Sequence, residues 1–297
     1  MTTQPIGSLF ASDIRRRIEE VIKVDQTDEE ILRDEIDEYV VTDAIRKHYT
    51  GIFEAYAETP NKPHEGIAVW VSGFFGSGKS SFAKMLGLSI SNRPLGEGSP
   101  AAERFAERAG DTKLHVLLKT ISEKIPTHAV IFDVSTDRGI RSGNQTLTEI
   151  MYGLFLQSLG YAKDLDLSEL EIGLEEEGEL PRFEAEYKRL FGKDWNAEKG
   201  KVAFALSEAS RVLNSLDRDT YPMADSWVKA VKNKADISPG KFAERANVLM
   251  ERRRKGKSLI FVVDEVGQFV ARDVQKMLDL QAIVQSLGVK GRGKHWV

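Results

Sequence analysis

The sequence predicts an α/β fold, a three-layer sandwich with a parallel sheet between helices and a helical insertion in its second half. Apolar, β-prone runs at 66–71, 128–134 and 259–263 alternate with segments of helical periodicity, which is typical of parallel sheets. The run 259–263 (LIFVV) is apolar throughout, and this predicts a central strand buried on both faces. The stretch 163–186 breaks the alternation and predicts the helical insertion.

Residues 73–80 (GFFGSGKS) carry the strongest chemical signal. They match G-x-x-x-x-G-K-[ST] at Gly73, Gly78, Lys79 and Ser80, after the strand-like run 66–71 and before a helical run. In such a loop, backbone N–H groups turn toward phosphates and the helix N-terminus adds partial positive charge. A glycine loop matching by chance is the alternative, and the strand–loop–helix order disfavours it.

Each residue of this loop has an expected role in binding ATP and Mg²⁺. Lys79 is predicted to reach the β- and γ-phosphates and to act in catalysis, and Ser80 is predicted to bind Mg²⁺. The complete predicted nucleotide-binding set is Gly73, Gly76, Ser77, Gly78, Lys79, Ser80 and Ser81.

Two carboxylates, Asp264 and Glu265, follow the buried run 259–263. The carboxyl ends of parallel strands form the ligand-binding edge of open α/β sheets. Asp264 is therefore predicted to hold Mg²⁺ beside Ser80, and Glu265 to polarise the attacking water. Asp followed by Glu indicates the additional-strand class of P-loop NTPases, which includes AAA+ and origin-recognition-like proteins. The alternative is a strand that merely ends in an acidic turn.

The run His128–Val134 predicts a third strand beside the other two. Asp133 or Asp137 at its carboxyl end could face the nucleotide, or could serve as a turn or cap residue. Upstream, Tyr39–Val41 could cover the adenine or could belong to the ordinary packing of the core. The sequence leaves both pairs of alternatives open.

Composition excludes several classes of protein. The 297-residue chain has no cysteine, which excludes disulfides, thiol catalysis and cysteine-based zinc sites. The five histidines lack metal-ligand spacing. The chain has no apolar run long enough to cross a membrane and no secretory signal at its start, so a cytoplasmic location is expected. The net charge of −4 argues against a generally basic nucleic-acid binder.

Local charge clusters leave alternatives open. The basic runs 252–257 (RRRKGK) and 290–294 (KGRGK) could contact a phosphate backbone, or could be solvated helix ends. The acidic stretch 163–186 could be a solvated face or a surface for a partner.

The patterns divide the chain into four parts. We expect a helical lead-in that packs on the nucleotide site (1–65), the first half of the ATPase core (66–160), the acidic helical insertion (161–250) and the Asp-Glu half of the core (251–297).

The last residues, HWV, resemble the start of another strand. In the Asp-Glu class that strand lies between the P-loop strand and the Asp-Glu strand. The core is therefore expected to be truncated before completion, with any sensor residue and arginine finger beyond Val297. Unpaired strand edges and an open apolar groove are expected to lower stability or to promote association.

Three segments together resemble the BrxC family, the large P-loop ATPases of bacterial BREX (bacteriophage exclusion) systems. These are IRRRIEEVIKVDQTDEE with DEYVVTDAIRKHY, GIAVWVSGFFGSGKSSFAKMLG, and LIFVVDEVGQFVA with KMLDLQAIVQSLGVKGRGKHWV. The resemblance covers most of the chain and is weakest in the acidic middle. It implies that Lys79, Ser80, Asp264 and Glu265 serve the nucleotide. Family members run to well over a thousand residues, so DNA handling and assembly cannot be assigned to this chain.

The resulting expectation is an ATP-binding and ATP-hydrolysing module of a phage-defence complex. The resemblance implies other BREX components as partners, among them a DNA methyltransferase and a phosphatase-like protein, with DNA and a second copy as further candidates. The alternative is a regulatory switch that binds ATP to assemble partners or bind DNA with little turnover. A kinase is disfavoured, since no acceptor-pocket signature occurs.

Overall fold

The structure, a computed structural model, describes residues 23–135, 146–231, 236–271 and 273–297. Its strands are β1 (Thr127–Asp133), β2 (Ser258–Asp264) and β3 (His295–Trp296). The first six helices are α1 (Glu29–Glu38), α2 (Asp43–Glu58), α3 (Lys79–Ser91), α4 (Ala101–Ala109), α5 (Thr112–Lys124) and α6 (Leu147–Ser158). The others are α7 (Leu165–Glu176), α8 (Leu180–Phe191), α9 (Trp195–Glu198), α10 (Val202–Leu216), α11 (Ser226–Val231), α12 (Pro239–Arg253), α13 (Val266–Val270) and α14 (Val274–Gly291).

The predicted fold class, a three-layer P-loop NTPase sandwich, is wrong. The described chain is mostly helical, and its one sheet has three parallel strands of 7, 7 and 2 residues. The expected strand at 66–71 does not form a regular strand. It makes two backbone hydrogen bonds with the end of the chain, Val69 N to Val297 O at 2.9 Å and Val297 N to Ile67 O at 3.0 Å. An apolar run predicts an extended segment, but a strand also needs a hydrogen-bonded partner along its length. The segment 66–71 has such a partner only at Ile67 and Val69.

The small sheet is centred on β2. β1 pairs with it in parallel along its whole length, from Thr127–Ser258 to Asp133–Asp264. β3 pairs with the other edge at two positions, Leu259–His295 and Ile260–Trp296. Strands at 128–134, 258–264 and the HWV sequence were expected, and these three predictions are confirmed. The strand at HWV lies between β2 and residues 67–69.

Helix α3 lies directly on the sheet. A Cβ at Gly87 would come within 2.8 Å of the side chains of Ile131 on β1 and Val262 on β2, so only glycine allows this close approach. On its other side, the ring of Phe82 stacks on Tyr49 of α2, with 4.2 Å between ring centroids. The Tyr49 hydroxyl also donates to the Phe82 carbonyl at 2.9 Å. Helix α3 is therefore held from two sides, which fixes the position of its N-terminus.

Local signals set several helix ends. The side chain of Thr42 accepts a hydrogen bond from Ile45 N and begins α2, as expected of a threonine before a helix. Thr146 and Glu149 form a reciprocal capping box at the start of α6. The stretch 101–124 is divided into α4 and α5 because Gly110 adopts a positive φ of 61° at the end of α4.

Helices α7–α11 surround a second apolar core. Its buried members are Ala162, Leu167, Phe183, Tyr187, Trp195, Ala205, Ala209, Val212, Leu213 and Trp227. Glu171 is buried beside this core, where it accepts hydrogen bonds from Trp195 Nε1 at 2.8 Å and Lys199 Nζ at 2.9 Å. A buried carboxylate is tolerated only when donors of this kind satisfy it.

The acidic stretch and the RRRKGK cluster pair with each other. Arg252 contacts Glu175 at 3.2 Å and Glu176 at 2.8 Å, and Arg253 contacts Glu175 at 2.7 Å. Glu169 pairs with Arg245 of α12 at 2.6 Å. These ion pairs fasten α7 to α12. The charges of both segments therefore serve contacts within the chain in addition to solvation.

Within the described ranges, every helix is too short or too polar to cross a bilayer. The same ranges hold no group of three or more His, Asp or Glu side chains placed to bind a metal by themselves.

Two buried histidines make the fold sensitive to acid. Burial lowers the pKa of His128 to about 4, with Arg254 and Lys257 adding to the effect. Burial also lowers the pKa of His295 to about 4, with a contribution from Lys294. Since an unfolded histidine titrates near pH 6.5, the unfolded chain binds more protons between about pH 6.5 and 4. We expect stability to fall across this window by up to about 3 kcal/mol for each histidine.

Denaturant titrations at pH 7.5, 6 and 5 measure this loss. Replacing His128 with Gln should reduce the difference between pH 7.5 and pH 5, whereas the same change at the exposed His48 should leave it unaltered. Equal pH dependence in both variants would show that His128 is not a cause.

Candidate nucleotide-binding site

The loop at 73–78 is solvent-exposed and leads directly into α3. Gly76 and Gly78 have positive φ values of 75° and 85°, a conformation that side chains disfavour. Gly78 is the N-cap residue of α3, and no side chain caps this helix end. The first N–H groups of α3 are therefore left without a side-chain acceptor, which is the arrangement that binds an anion.

Backbone contacts, and not side-chain burial, shape this loop. The N–H of Ser77 donates to the carbonyl of Phe74 at 3.2 Å. A Cβ at Gly73 would lie 2.6 Å from the Ser77 hydroxyl, so a side chain here would require that hydroxyl to rotate away. The side chains of Phe74 and Phe75 are 91% and 100% exposed, respectively. The turn is thus held by its own backbone while two phenyl rings point into solvent.

The Lys79 ammonium rests on the loop that precedes it. Its Nζ donates to the carbonyl of Phe74 at 3.0 Å. Ser80 and Ser81 lie in the first turn of α3, and both are half-buried. The predicted residues 73–81 therefore form one continuous surface of backbone donors, hydroxyls and a cation.

Asp264 and Glu265 lie where β2 ends and α13 begins. An oxygen of Asp264, Oδ1, accepts a hydrogen bond from the Glu265 N–H at 2.9 Å. Glu265 adopts the left-handed conformation, with φ at 56°, as the N-cap of α13. Such a backbone costs a non-glycine residue about 1–2 kcal/mol. Strain of this kind gathers at functional sites, where a side chain has to be aimed.

One cavity of about 540 Å³ joins the two parts of the predicted site. Gly73 and Lys79 line it, and so does Glu265, although the sequence separates them widely. Ser80 and Asp264 are adjacent in sequence to lining residues but are not part of the lining. Most of the wall is apolar, formed by Val69–Val71 on one side and Ile260–Val263 on another. Ser72, Lys79, Glu265 and Gln268 are polar residues in the lining.

The observed contacts of Asp133, Tyr39 and Val41 favour structural roles over contact with a nucleotide. The Asp133 carboxylate accepts a hydrogen bond from Ser135 N at 2.7 Å, which is the turn role. Asp137 lies outside the described residues. Tyr39 packs against Tyr49 and Phe105, and Val41 packs on the same main core. Neither Tyr39 nor Val41 lines the cavity, so packing is their observed role.

Two residues near the site were missed by the sequence analysis. Lys84 of α3 is fully buried, pairs with Glu35 of α1 at 2.5 Å and donates to the Lys23 carbonyl at 2.6 Å. Burial lowers the pKa of Lys84, and Glu35 opposes this effect. Gln268 donates a side-chain hydrogen bond to Glu265. Each residue had a signal in the sequence that could have identified it. Lys84 is a lysine within an apolar helical run, and Gln268 follows Glu265 by three residues.

Comparison with known proteins adds no assignment. No protein-family model matches the chain, and no solved structure matches it.

The strain at Glu265 predicts a difference in stability between two variants at this position. Glu265→Gly and Glu265→Ala both remove the carboxylate, but only glycine adopts the left-handed conformation without strain. We expect the glycine variant to be more stable than the alanine variant by about 1 kcal/mol. Denaturant unfolding of the two variants measures the difference. Equal stabilities would mean that the backbone at 265 is not strained.

Proposed function

We propose that this chain binds Mg²⁺-ATP on the loop at 73–80 and hydrolyses it with Glu265 as the general base. The observation that carries the proposal is the shared cavity of Lys79 and Glu265. A lysine and a glutamate thus line one space, and phosphoryl transfer to water needs a cation and a base close together. The apolar part of the cavity suits neither phosphate nor Mg²⁺, so the phosphates are assigned to the exposed loop.

Binding would use the backbone donors at the start of α3 together with Lys79. The N–H groups after Gly78 have no side-chain cap and would donate to phosphate oxygens. Lys79 would exchange its contact with the Phe74 carbonyl for the β- and γ-phosphates. A charged acceptor makes a stronger hydrogen bond than a carbonyl, so this exchange favours the bound state.

The residues present fit a Mg²⁺ ion that is held partly by the substrate. Ser80 supplies a hydroxyl from the first turn of α3, and Asp264 supplies a carboxylate from the end of β2. Mg²⁺ in nucleotide sites commonly uses one or two protein oxygens, with phosphate oxygens and waters completing its shell. When bound, the ion would neutralise charge that develops on the phosphates.

Glu265 would accept a proton from the water that attacks the γ-phosphorus. The bond from this phosphorus to the bridging oxygen breaks as the bond to the water oxygen forms, giving ADP and phosphate. Lys79 would stabilise the charge on the phosphate oxygens. Lys79 and Glu265 both line the cavity, which supports these two roles.

The resemblance to the BrxC family supports a biological setting for this activity. We propose that the chain is an ATPase module of a BREX phage-defence complex in the cytoplasm. Its partners would be other BREX components, including the DNA methyltransferase and the phosphatase-like protein. A switch that binds ATP without appreciable turnover is the competing function, because a P-loop serves either purpose.

Replacing Lys79 with Ala tests nucleotide binding. The change removes charged hydrogen bonds worth about 1.5–3 kcal/mol, so we expect Mg²⁺-ATP affinity to fall by roughly 10- to 100-fold. Isothermal titration calorimetry measures the affinity. Lys47→Ala, at an exposed position of α2, is the matched control and should bind as the unaltered chain does. Equal affinity in both variants would exclude the loop as the phosphate site.

Replacing Glu265 with Gln separates hydrolysis from switching. The amide cannot accept the proton, so phosphate release should fall by about 10²- to 10⁴-fold while ATP affinity is unchanged. Phage restriction in cells that carry the complete system should be lost as well. Restriction that survives Glu265→Gln but is lost with Lys79→Ala would support the switch.

A further inference from the structure

A side-chain hydrogen bond links Glu265 to the helix that follows it. The Nε2 amide of Gln268 donates to Oε2 of the Glu265 carboxylate. The backbone supports the same turn, because the Glu265 carbonyl accepts from Gln268 N and Phe269 N, each at 3.1 Å. Gln268 also lines the cavity that holds Lys79 and Glu265. The amide therefore reaches the carboxylate from within the proposed site.

The turn that carries Gln268 is firmly anchored. Its neighbours Phe269 and Val270 are buried in the main core. The Lys276 ammonium lies over the Phe269 ring, 4.4 Å from its centroid. Gln268 itself is exposed, so its side chain adds little to the core. An exposed amide on an anchored turn can orient its neighbour without contributing much to folding.

The contact restricts a side chain that would otherwise rotate freely. Glutamate has three side-chain torsions, and a catalytic carboxylate works only near one geometry. With Oε2 held by Gln268, no donor among the described residues reaches Oε1. Oε1 is then the oxygen available to accept a proton from water.

We propose that Gln268 is a positioning residue that orients the Glu265 carboxylate for ATP hydrolysis. This inference rests on the proposed function and adds a residue to it. Gln268 touches neither ATP nor the attacking water in this scheme. It acts through Glu265, so its loss should change turnover and leave nucleotide binding intact.

Substitution of Gln268 by Met is the main test. Methionine keeps the length and bulk of the side chain but removes the donor. We expect kcat to fall about tenfold or more, since a misplaced catalytic group is costly, with KM and ATP affinity unchanged. Gln281→Ala, at an exposed glutamine of α14, is the control and should retain full activity.

Substitution by Glu gives a readout that a structural role would not produce. Gln268→Glu places a second carboxylate beside Glu265, which favours protonation of the pair. The acid limb of the kcat–pH profile should shift to higher pH by about one unit. A normal kcat in Gln268→Met, together with an unshifted profile in Gln268→Glu, would overturn the proposal.

The hydrogen bond can be observed without turnover. The ¹⁵N side-chain amide resonance of Gln268 should move when Glu265 is changed to Ala, and an unmoved resonance would refute the contact. Full hydrolysis by Glu265→Gln would instead refute the proposed base. The two measurements therefore distinguish failure of the positioning role from failure of the proposed function.

Discussion

Burial of β2 is the constraint on which both the fold and the site depend. Residues Leu259–Val262 are almost wholly buried, with β1 on one edge, β3 on the other and α3 packed on one face. Because Gly87 lets α3 approach Val262 closely, the packing of one helix fixes where that helix begins. The exposed loop at 73–78 is thereby held near the end of β2, where Asp264 and Glu265 leave the sheet. A change that moved α3 away from β2 would separate Lys79 from Glu265.

In helices α7–α12, charged side chains are satisfied by partners within the chain. Its acidic stretch is balanced from within, through Arg245, Arg252 and Arg253 of α12. The buried Glu171 is satisfied by an indole, an ammonium and the backbone N–H of Ala162. Such networks are costly to break, because each partner left behind would be a charge with restricted access to water. The acidity read from the sequence thus contributes to packing between helices.

Local patterns predicted local structure, and the errors concern relations between distant residues. The Thr42 cap and the apolar run in β2 each depend on a few neighbouring residues, and both were predictable. The pairing of 66–71 depends on which segment lies beside it, and an apolar run contains no information on that point. The predicted fold class was wrong for this reason. The segment 66–71 was expected to be a full strand of a larger sheet, whereas the observed sheet has only β1, β2 and the short β3. The partners of Arg252 and Arg253 could not be predicted either, because a cluster of charges does not reveal which residues it faces.

At the candidate site, the loop and both carboxylates could be identified from motif spacing. The contact from Gln268 to Glu265 could not, because it depends on the turn after β2.

The positions of left-handed residues show where the chain accepts strain. Among the described non-glycine residues, Asn92, Glu265 and Arg292 have positive φ. Asn92 and Arg292 end α3 and α14, where this conformation is the usual way to satisfy the last carbonyls. Glu265 differs because it begins a helix, a position that normally has extended backbone. At Gly78 only backbone N–H groups are needed, and glycine supplies the left-handed conformation without cost. At position 265 the proposed reaction needs a carboxylate, so glycine cannot serve, and the strain is retained at a residue that lines the cavity.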